Sequence, residues 1–248
     1  MRVPLIDIHS HILPGVDDGA VDVPSAILAL EALESCGVER VVATPHFRAS
    51  LLERAGRAAA RLQLFDEAYA ELISAMDVAG LAITVGRGCE FKLDAPVANL
   101  DDPRLRLDGT RYALVEFGSF HVPPFAGNQL KAVHDAGWVP VLAHPERYFG
   151  VEHAMERVAE WVDEGTLLQV NAASLVGGYG PAPRRIAAAL LARGWVHCIA
   201  GDYHARGEPP WTAALDVLRD EAPPVPEWVC QLVHGNPGNL LADEPLPG

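Results

Sequence analysis

Cysteine is scarce in this sequence, and long apolar runs are missing from it. The 248 residues include four cysteines, Cys36, Cys89, Cys198 and Cys230, and no two are close enough to suggest a zinc knuckle or a disulfide framework. No apolar stretch approaches the roughly 20 residues that cross a bilayer, and no basic segment with an apolar signal core opens the chain. We therefore expect a soluble, cytoplasmic protein with reduced, buried thiols.

Basic residues are also few. There are 19 lysines and arginines against 33 aspartates and glutamates, for a formal net charge of -14. This surplus of negative charge argues against a general nucleic-acid-binding surface, which needs cations to neutralise the phosphate backbone. Ordinary solubility from an acidic surface explains most of these charges, and we expect no nucleic-acid partner.

Two common phosphate-handling motifs are absent. A cysteine-based phosphatase requires Cys-x5-Arg, and the residues six positions after the four cysteines are Val42, Ala95, His204 and Asn236. The glycine-rich stretch 177–180 lacks the Gly-Lys-Ser/Thr ending of a phosphate loop and is typical of a turn. The sequence therefore excludes both motifs.

The chain does contain a repeated unit, in which an Ala- and Leu-rich helical stretch is followed by a short apolar run and a polar residue. The runs are nearly unbroken, as in parallel strands covered on both faces. The predicted strands are 5–8, 40–43, 82–85, 112–115, 139–142, 167–170 and 197–200. Five of them follow a glycine suited to a left-handed helix end, namely Gly37, Gly80, Gly137, Gly165 and Gly194.

Helices are predicted between these strands, at 25–36, within 51–79, and at 127–136, 151–164, 183–193 and 211–219. The alternation predicts one α/β domain over 1–248, either an open doubly wound sheet or a closed barrel. Only a barrel brings residues from nearly all strands to one point. We expect the Pro-rich segment 222–248, with a short helix near 226–233, to close the domain and not to form a second one.

Residues of the kinds that bind metals follow six of the seven predicted strands. His9 and His11 come directly after the first run, and residues two apart in an extended segment point to the same side. The nine candidate ligands are His9, His11, Asp18, His46, Glu90, Glu116, His144, Asp202 and His204. Such residues are rarely buried without partners, so their recurrence beside buried strands predicts a metal centre.

Each candidate alone has a simpler explanation. A single His-x-His occurs by chance, Glu116 can pair with an arginine, and His46 and His144 lie beside prolines, where turns form. The combination favours metal binding. Oxygen and imidazole ligands without thiolates favour Mn²⁺, Zn²⁺ or Fe. Nine ligands exceed the needs of one ion, so we expect two or three ions, with Glu90 or Glu116 able to bridge.

Six segments carry the motifs: 7–19 (DIHSHILPGVDDG), 43–46 (ATPH), 116–117 (EF), 144–148 (HPERY), 169–175 (QVNAASL) and 202–204 (DYH). Together they resemble the bacterial tyrosine phosphatases of the polymerase and histidinol phosphatase (PHP) superfamily, which regulate capsule and exopolysaccharide synthesis. The resemblance extends from about residue 5 to residue 240. It implies a distorted (β/α)7 barrel that holds a cluster of three ions, usually manganese.

The resemblance also implies roles for matched residues. The three implied ligand sets are His9, His11, Glu90 and Asp202; Glu90, Glu116 and His144; and Asp18, His46 and His204. Asp17 would support the ligands, and Arg147 matches an arginine that holds the substrate phosphate. Two positions depart from the family. Gly201 stands where a serine is usual, and Arg206 is the nearby candidate for a second phosphate-binding arginine in a shortened loop.

The implied reaction is hydrolysis of phosphotyrosine in protein, and the implied partner is a tyrosine autokinase of capsular or exopolysaccharide synthesis. We expect a hydroxide bridging two ions to attack phosphorus in line. The expected catalytic residues are Arg147, Arg206 and His46. His121 is expected to bind substrate with the two arginines, its alternative being an ordinary loop histidine.

Two other functions remain open. The chain could be a small-molecule phosphatase or phosphodiesterase of the same superfamily, such as a histidinol phosphatase. It could also be a metal-loaded regulatory module without catalysis. The sequence leaves the oligomeric state open.

Overall fold

Strands and helices alternate along the computed structural model, which describes residues 3–95, 100–219 and 226–247. The strands are Leu5–Ser10 (β1), Val38–Ala43 (β2), His46–Arg48 (β3), Thr84–Arg87 (β4), Glu90–Leu93 (β5), Tyr112–Phe117 (β6), Val139–Ala143 (β7), Leu167–Asn171 (β8) and Cys198–Ala200 (β9). The helices are Val23–Cys36 (α1), Ala55–Ala79 (α2), Ala126–Asp135 (α3), Met155–Asp163 (α4), Ala172–Leu175 (α5), Pro181–Ala192 (α6), Trp211–Leu218 (α7), Glu227–Cys230 (α8) and Asn236–Leu241 (α9). A π-helical turn, Gln231–Gly235, joins α8 to α9.

Two of the predicted strands are continued by a second short strand, which the sequence analysis missed. β3 follows β2 after Thr44 and Pro45, because proline has no N–H to donate to a ladder. β5 follows β4 after Gly88, where an added Cβ would lie 3.3 Å from the carbonyl oxygen of Arg106. His46 and Glu90, expected in loops after strands, therefore lie within strands.

All strand pairs in the described residues are parallel. They form a three-stranded sheet in the order β1-β2-β4 and a six-stranded sheet in the order β3-β5-β6-β7-β8-β9. β1 also meets the chain just beyond β9, where Asp202 N donates to His9 O at 2.8 Å and His11 N donates to Tyr203 O at 2.9 Å. The first and last strands are therefore neighbours, and β1 extends through Ser10, two residues beyond its predicted end.

Both faces of the strands are buried, which explains the unbroken apolar runs. Val41 and Leu142 pack in the larger apolar cluster together with α1 and α2, whereas Val42 and Val141 pack in a second cluster with Leu240 of α9. Successive strand residues point to opposite faces, so adjacent apolar residues fill different clusters. The result is a mixed α/β single-domain fold with parallel sheets.

α1 illustrates how local sequence sets a helix. Ser25 N donates to Asp22 Oδ1 at 2.9 Å, and Asp22 N donates to Ser25 Oγ at 3.1 Å, which forms a reciprocal cap. Gly37 ends the helix with φ 97°, in the left-handed region where a side chain would be strained. Between the caps, Leu30 and Leu33 are fully buried against the core. The cap and Gly37 therefore set the two ends of α1, and the apolar stripe packs the helix against the core.

The last described segment, 226–247, contacts the amino ends of two strands. Asn236 Nδ2 donates to His197 O at 2.7 Å, just before β9, and Tyr112 Oη at the start of β6 donates to Glu244 O at 2.6 Å. The short helix predicted near 226–233 is α8 and the beginning of the π-helical turn.

The four cysteines are free thiols, as predicted. Cys89 and Cys198 are buried, whereas Cys36 and Cys230 are half-buried, a partial correction of the expectation that all are buried. Across residues 3–95, 100–219 and 226–247, no helix is both long enough and apolar enough to cross a membrane.

Candidate metal centre

All nine predicted ligands meet in one region of the structure. They fall into four overlapping groups, and within each group the ligand atoms lie within 4.8 Å of one another. The groups are His9, His11 and Asp202; His9, Glu90 and His144; His46, Glu90 and Glu116; and His11, Asp18, His46 and His204. These groups differ from the three implied sets. The first set appears without Glu90, the residues of the second set are divided between two groups that share Glu90, and the third set appears with His11 added.

His9 and His11 face each other across the centre of the site. Their Nε2 atoms are 3.3 Å apart, and both side chains are fully buried. Asp202 Oδ1 lies 3.4 Å from each of these nitrogens, and Glu90 Oε2 lies 3.5 Å from each. Two imidazole nitrogens and two carboxylate oxygens around one point are a donor set suited to a divalent cation.

The opposite ring nitrogens of three histidines are hydrogen-bonded, which fixes their tautomers. The pairs are His9 Nδ1 with Gln169 Oε1 at 2.8 Å, His11 Nδ1 with Asp17 Oδ2 at 2.8 Å and His204 Nδ1 with the Asp202 carbonyl oxygen at 2.9 Å. Each acceptor oxygen places the proton on Nδ1 and leaves the Nε2 lone pair free. Metal-binding histidines are usually held in this way by a second hydrogen bond.

Glu90 lies between the ligand groups. Its Oε1 is 2.9 Å from His144 Nε2, and its Oε2 is 2.8 Å from His46 Nδ1. Burial would raise the pKa of this carboxyl, but His9 and the other surrounding histidines hold it well below its ordinary value. The carboxylate is therefore ionised and has one oxygen on each side, the arrangement that a bridging ligand needs.

The buried carboxylates also raise the pKa values of the histidines around them. Burial lowers the pKa of His46, yet the Glu116 and Glu90 carboxylates beside it raise that pKa to about 9. The pKa of His9 is raised despite burial because the Glu90 and Asp202 carboxylates face it, and the pKa of His11 is raised by its hydrogen bond to Asp17 and by Asp202 and Glu90. The site draws in positive charge, either as protons or as cations.

Several buried polar atoms in the centre form no well-aligned hydrogen bond within the described residues, although charged neighbours lie close to them. They include His46 Nδ1 and Glu90 Oε2, which lie 2.8 Å apart, and Glu116 Oε1. Buried polar atoms normally form hydrogen bonds, so a cluster of this kind calls for a ligand. The residues present fit divalent metal ions.

The two predicted arginines contact the centre. Arg147 follows β7 in a turn that begins at His144, whose φ of 38° lies in the left-handed region. Arg147 Nη1 donates to Asp202 Oδ2 at 2.7 Å, and its side chain is 20% exposed. Arg206 Nη2 donates to the Asp18 carbonyl oxygen at 2.6 Å from an exposed position. Both guanidinium groups are therefore anchored to ligand residues.

The structure does not bring His121 into the ligand groups. It is exposed in the loop after β6, and its ring lies 5.2 Å from the ring of Phe149, measured between centroids. The geometry of the ligand groups therefore gives no support to the expected contact between His121 and substrate.

Lys92 is a site residue that the sequence analysis missed. Its Nζ lies 3.1 Å from Glu116 Oε1, so Glu116 is paired with a lysine and not with the arginine considered above. Its spacing could have identified it in the sequence, because Lys92 is two residues beyond Glu90 and therefore lies on the same side of β5. Lys92 is also paired in register with Glu116 across β5 and β6.

Two amide side chains, those of Gln169 and Asn171, support the proposed ligands. Both belong to the motif 169–175, to which the sequence analysis gave no role. Beyond its bond to His9, Gln169 donates from Nε2 to Asn171 Oδ1 at 2.9 Å, and Asn171 Nδ2 donates to Asp202 Oδ2 at 2.6 Å. Both residues are fully buried on β8. They connect a ligand on β1 to a ligand beyond β9.

Gly201 makes room for a buried carboxylate beneath the site. Asp7 Oδ1 accepts from Gly201 N at 2.9 Å, and Asp7 Oδ2 accepts from Trp211 Nε1 at 3.0 Å. An added Cβ at position 201 would lie 2.4 Å from Asp7 Oδ2. Burial raises the pKa of Asp7 to about 6 against these hydrogen bonds. The departure from serine at this position thus coincides with a tightly packed carboxylate.

Comparison with known proteins gives consistent results. Residues 5–242 match the family described as capsular polysaccharide synthesis, CpsB/CapC. The tyrosine-protein phosphatase YwqE of Bacillus subtilis is 31% identical, over 81% of this chain and 77% of that protein. The tyrosine-protein phosphatase CpsB of Streptococcus pneumoniae is 30% identical, over 86% of this chain and 89% of that protein.

A solved structure resembles nearly the whole chain. It was reported among the crystal structures of YwqE from Bacillus subtilis and CpsB from Streptococcus pneumoniae, described as unique metal-dependent tyrosine phosphatases. The TM-score is 0.82 at 28% identity, and the alignment covers 98% of this chain and 96% of the other.

Proposed function

The chain belongs to the CpsB/CapC family of capsular polysaccharide synthesis proteins, and we propose that it is a metal-dependent phosphatase that hydrolyses phosphotyrosine in protein. The observation that carries the proposal is the convergence of four carboxylates and five histidines beside Arg147. Relatives with this family's name are tyrosine-protein phosphatases, which supports the same substrate class.

The proposed cofactor is three Mn²⁺ ions, with Zn²⁺ or Fe as alternatives. The proposed ligand sets are His9, His11, Glu90 and Asp202; Glu90, Glu116 and His144; and Asp18, His46 and His204. Fixed tautomers, buried polar atoms without a well-aligned hydrogen bond and a shared Glu90 support these sets. Three divalent ions would more than offset the negative charge of the four carboxylates, which two would only balance, so the site loaded with three ions would attract a phosphate dianion.

The chain's own residues would hold and orient the phosphate. The chemistry supplied by bound ions is Lewis acidity toward phosphoryl oxygens and activation of water near neutral pH. Arg147 offers paired N–H donors that match two phosphate oxygens, and its bond to Asp202 restricts where they point. Arg206 would present its guanidinium at the edge of the third ligand set. Both would neutralise charge that develops on the equatorial oxygens.

The leaving group requires little help. A tyrosine phenol has a pKa near 10, so its oxygen departs with less protonation than an alkoxide would need. His46, which is half-buried between Asp18 and Glu90, is the proposed catalytic imidazole. His121 remains a proposed substrate contact at the outer edge of the site.

The proposed partner is a phosphotyrosine protein, specifically a tyrosine autokinase that controls capsular or exopolysaccharide synthesis, and the proposed location is the cytoplasm. The capsular polysaccharide description of the family supports the first proposal.

For the fold, we propose a closed, distorted (β/α)7 barrel in one domain over 1–248. Of the predicted closing segment 222–248, the proposal concerns 226–247, because 222–225 and 248 lie outside the described residues. The contacts between β1 and the chain beyond β9 support closure.

The test begins with metal content. Protein purified without added metal is analysed by mass spectrometry, and hydrolysis of a phosphotyrosine peptide is measured before chelation, after it, and after return of Mn²⁺, Zn²⁺ or Fe²⁺. We expect bound metal, loss of activity on chelation and recovery with Mn²⁺. Full activity in metal-free protein would overturn the proposal. Faster turnover of histidinol phosphate or of bis-p-nitrophenyl phosphate would favour the small-molecule alternatives.

Paired variants sharpen the same test. His11→Ala should lose both bound metal and activity while keeping its fold, because it removes a buried ligand shared by two groups. His153→Ala is the matched control, since that side chain is 84% exposed and lies outside the ligand groups. Retained metal-dependent turnover in His11→Ala would contradict the ligand assignment.

A further inference from the structure

Exposed aromatic side chains concentrate around Arg147. Its Cζ lies 4.1 Å from the centroid of the Tyr179 ring and 5.0 Å from that of the Phe120 ring. Tyr179 is 36% exposed, Phe120 is 48% exposed and nearby Phe149 is 68% exposed. We call Phe120, Phe149 and Tyr179 the aromatic rim.

The rim is a built feature of the fold. The loop after β6 and the loop after β7 are joined where Phe149 N donates to Phe120 O at 2.7 Å, and His121 and Phe149 form a parallel bridge. Tyr179 reaches the same place from the segment between α5 and α6, and its hydroxyl lies 3.4 Å from Asp202 Oδ2. Three separate loops thus place rings beside one guanidinium.

Packing in the apolar core does not account for the exposed rings of the aromatic rim. Phe47, Phe91 and Phe117 are buried, as expected for phenylalanine, whereas the rim rings remain in contact with solvent beside a polar site. Aromatic side chains gain most from contact with another ring, either offset-stacked or edge-to-face. A ligand that presents an aromatic ring and a phosphate together would satisfy the rim and Arg147 at once.

We propose that Phe120 and Tyr179 are specificity-determining residues that contact the aromatic ring of the phosphorylated tyrosine while Arg147 holds its phosphate. This assignment rests on the proposed function and adds to it the means by which aryl phosphates are preferred over alkyl phosphates. The rings also flank the guanidinium, so the competing account is that they only position Arg147.

Two non-hydrolysable probes separate these accounts. Phenylphosphonate and methylphosphonate share an anionic group and differ in the ring, and calorimetric titration of the metal-loaded enzyme gives a Kd for each. We expect phenylphosphonate to bind about tenfold more tightly, as one aromatic contact allows. In Phe120→Leu and Tyr179→Leu that preference should shrink toward equality, with the methylphosphonate Kd unchanged.

Turnover provides the second readout. The ratio of kcat/KM for a phosphotyrosine peptide to that for the matching phosphoserine peptide should fall in both variants, mainly through KM. Phe125→Leu is the matched control, because Phe125 is a 72% exposed phenylalanine further along the same loop, outside the ring contacts of Arg147. That variant should keep the probe preference and the peptide ratio.

Contrary outcomes are distinguishable. If the variants weaken both phosphonates equally, the rings only position Arg147 and the specificity role is wrong. If the unsubstituted enzyme binds both probes equally but hydrolyses phosphotyrosine, the specificity role is again overturned and the proposed function stands. If the metal-loaded enzyme hydrolyses no phosphate monoester, the proposed function itself fails.

Discussion

Lys92 Nζ lies 3.1 Å from Glu116 Oε1, and these two residues are paired in register on neighbouring parallel strands. The lysine is 25% exposed, so its ammonium is beside the ligand groups and still open to solvent. A cation at this point can neutralise a proposed ligand and attract a phosphate.

Replacing Lys92 with methionine should therefore reduce kcat/KM for a phosphotyrosine peptide by about tenfold to a hundredfold, the loss of one charge-assisted contact. Lys92→Arg should retain most of the activity, because it keeps the charge. The chain has one other lysine, Lys131, whose side chain is 63% exposed and paired with Asp135, so Lys131→Met is the control. Equal rates for Lys92→Met and Lys131→Met would remove Lys92 from the site.

Gln169→Leu should weaken metal binding by roughly tenfold to a hundredfold, the usual effect of losing a partner that orients a ligand histidine. The buried amide accepts from His9 Nδ1, and leucine offers no acceptor. Metal affinity is measured by competition with a fluorescent chelator. Gln63→Leu is the control, since Gln63 bonds to Glu67 on the exposed surface of α2, outside the ligand groups. An unchanged affinity in Gln169→Leu would show that the His9 tautomer needs no such support.

Gly201→Ala should lower the free energy of unfolding by about 1–3 kcal/mol, the typical cost of overpacking. The new Cβ would lie 2.4 Å from Asp7 Oδ2 and 3.3 Å from Trp211 Nε1, and both of these residues are fully buried. Urea unfolding of metal-free protein measures the change. Gly56→Ala is the control, because nothing lies within 4 Å of its added Cβ and alanine favours the helix. Equal stabilities of the two variants would contradict the packing around Asp7.

Stability should decrease at mildly acidic pH through His197. Burial lowers the pKa of this imidazole below its ordinary value of 6.5, against the opposing effect of a hydrogen bond that the ring donates to the backbone of Trp195, and His197 Nδ1 accepts from Leu168 N at 3.0 Å. The unfolded chain therefore binds a proton at higher pH than the folded chain does. This contribution to stability is complete above about pH 6.5 and is lost as the pH falls toward the folded pKa.

The measurement for His197 is the difference in unfolding free energy between the wild-type chain and His197→Gln as a function of pH. Titration of the ligand histidines is common to both proteins and cancels in the difference. The wild-type protein should lose stability relative to the variant below pH 6.5. A difference that is constant from pH 8 to pH 5 would show that His197 titrates normally.

Local patterns predicted seven of the nine described strands and singled out the proposed ligands. Most of these residues lie in or just after a strand of apolar residues, and parallel strands bring their carboxyl ends together whatever the details of the loops. That rule predicts that residues as far apart in the sequence as His9 and Asp202 share one site. The breaks at Pro45 and Gly88 were missed because the short strands that follow them, β3 and β5, contain polar residues and do not read as apolar runs.

The supporting contacts could not be predicted in the same way. Gln169 and His9 are 160 residues apart, and Gly201 and Asp7 are 194 residues apart, so no local periodicity connects them. Their roles depend on which strands become neighbours, which is a property of the whole fold. The two-residue period of a strand would have placed Lys92 on the same side as Glu90, but β5 was not recognised as a strand in the sequence.

The contact of β1 with the chain beyond β9 has a consequence for the newly made protein. His9 leaves the ribosome long before Asp202 and His204, which come almost two hundred residues later in the sequence. Contacts between such distant segments also form slowly, because a long loop must close first. Until Asp202 and His204 have been made the polypeptide therefore holds an incomplete ligand set, and activity would begin only once the last strand has docked beside the first.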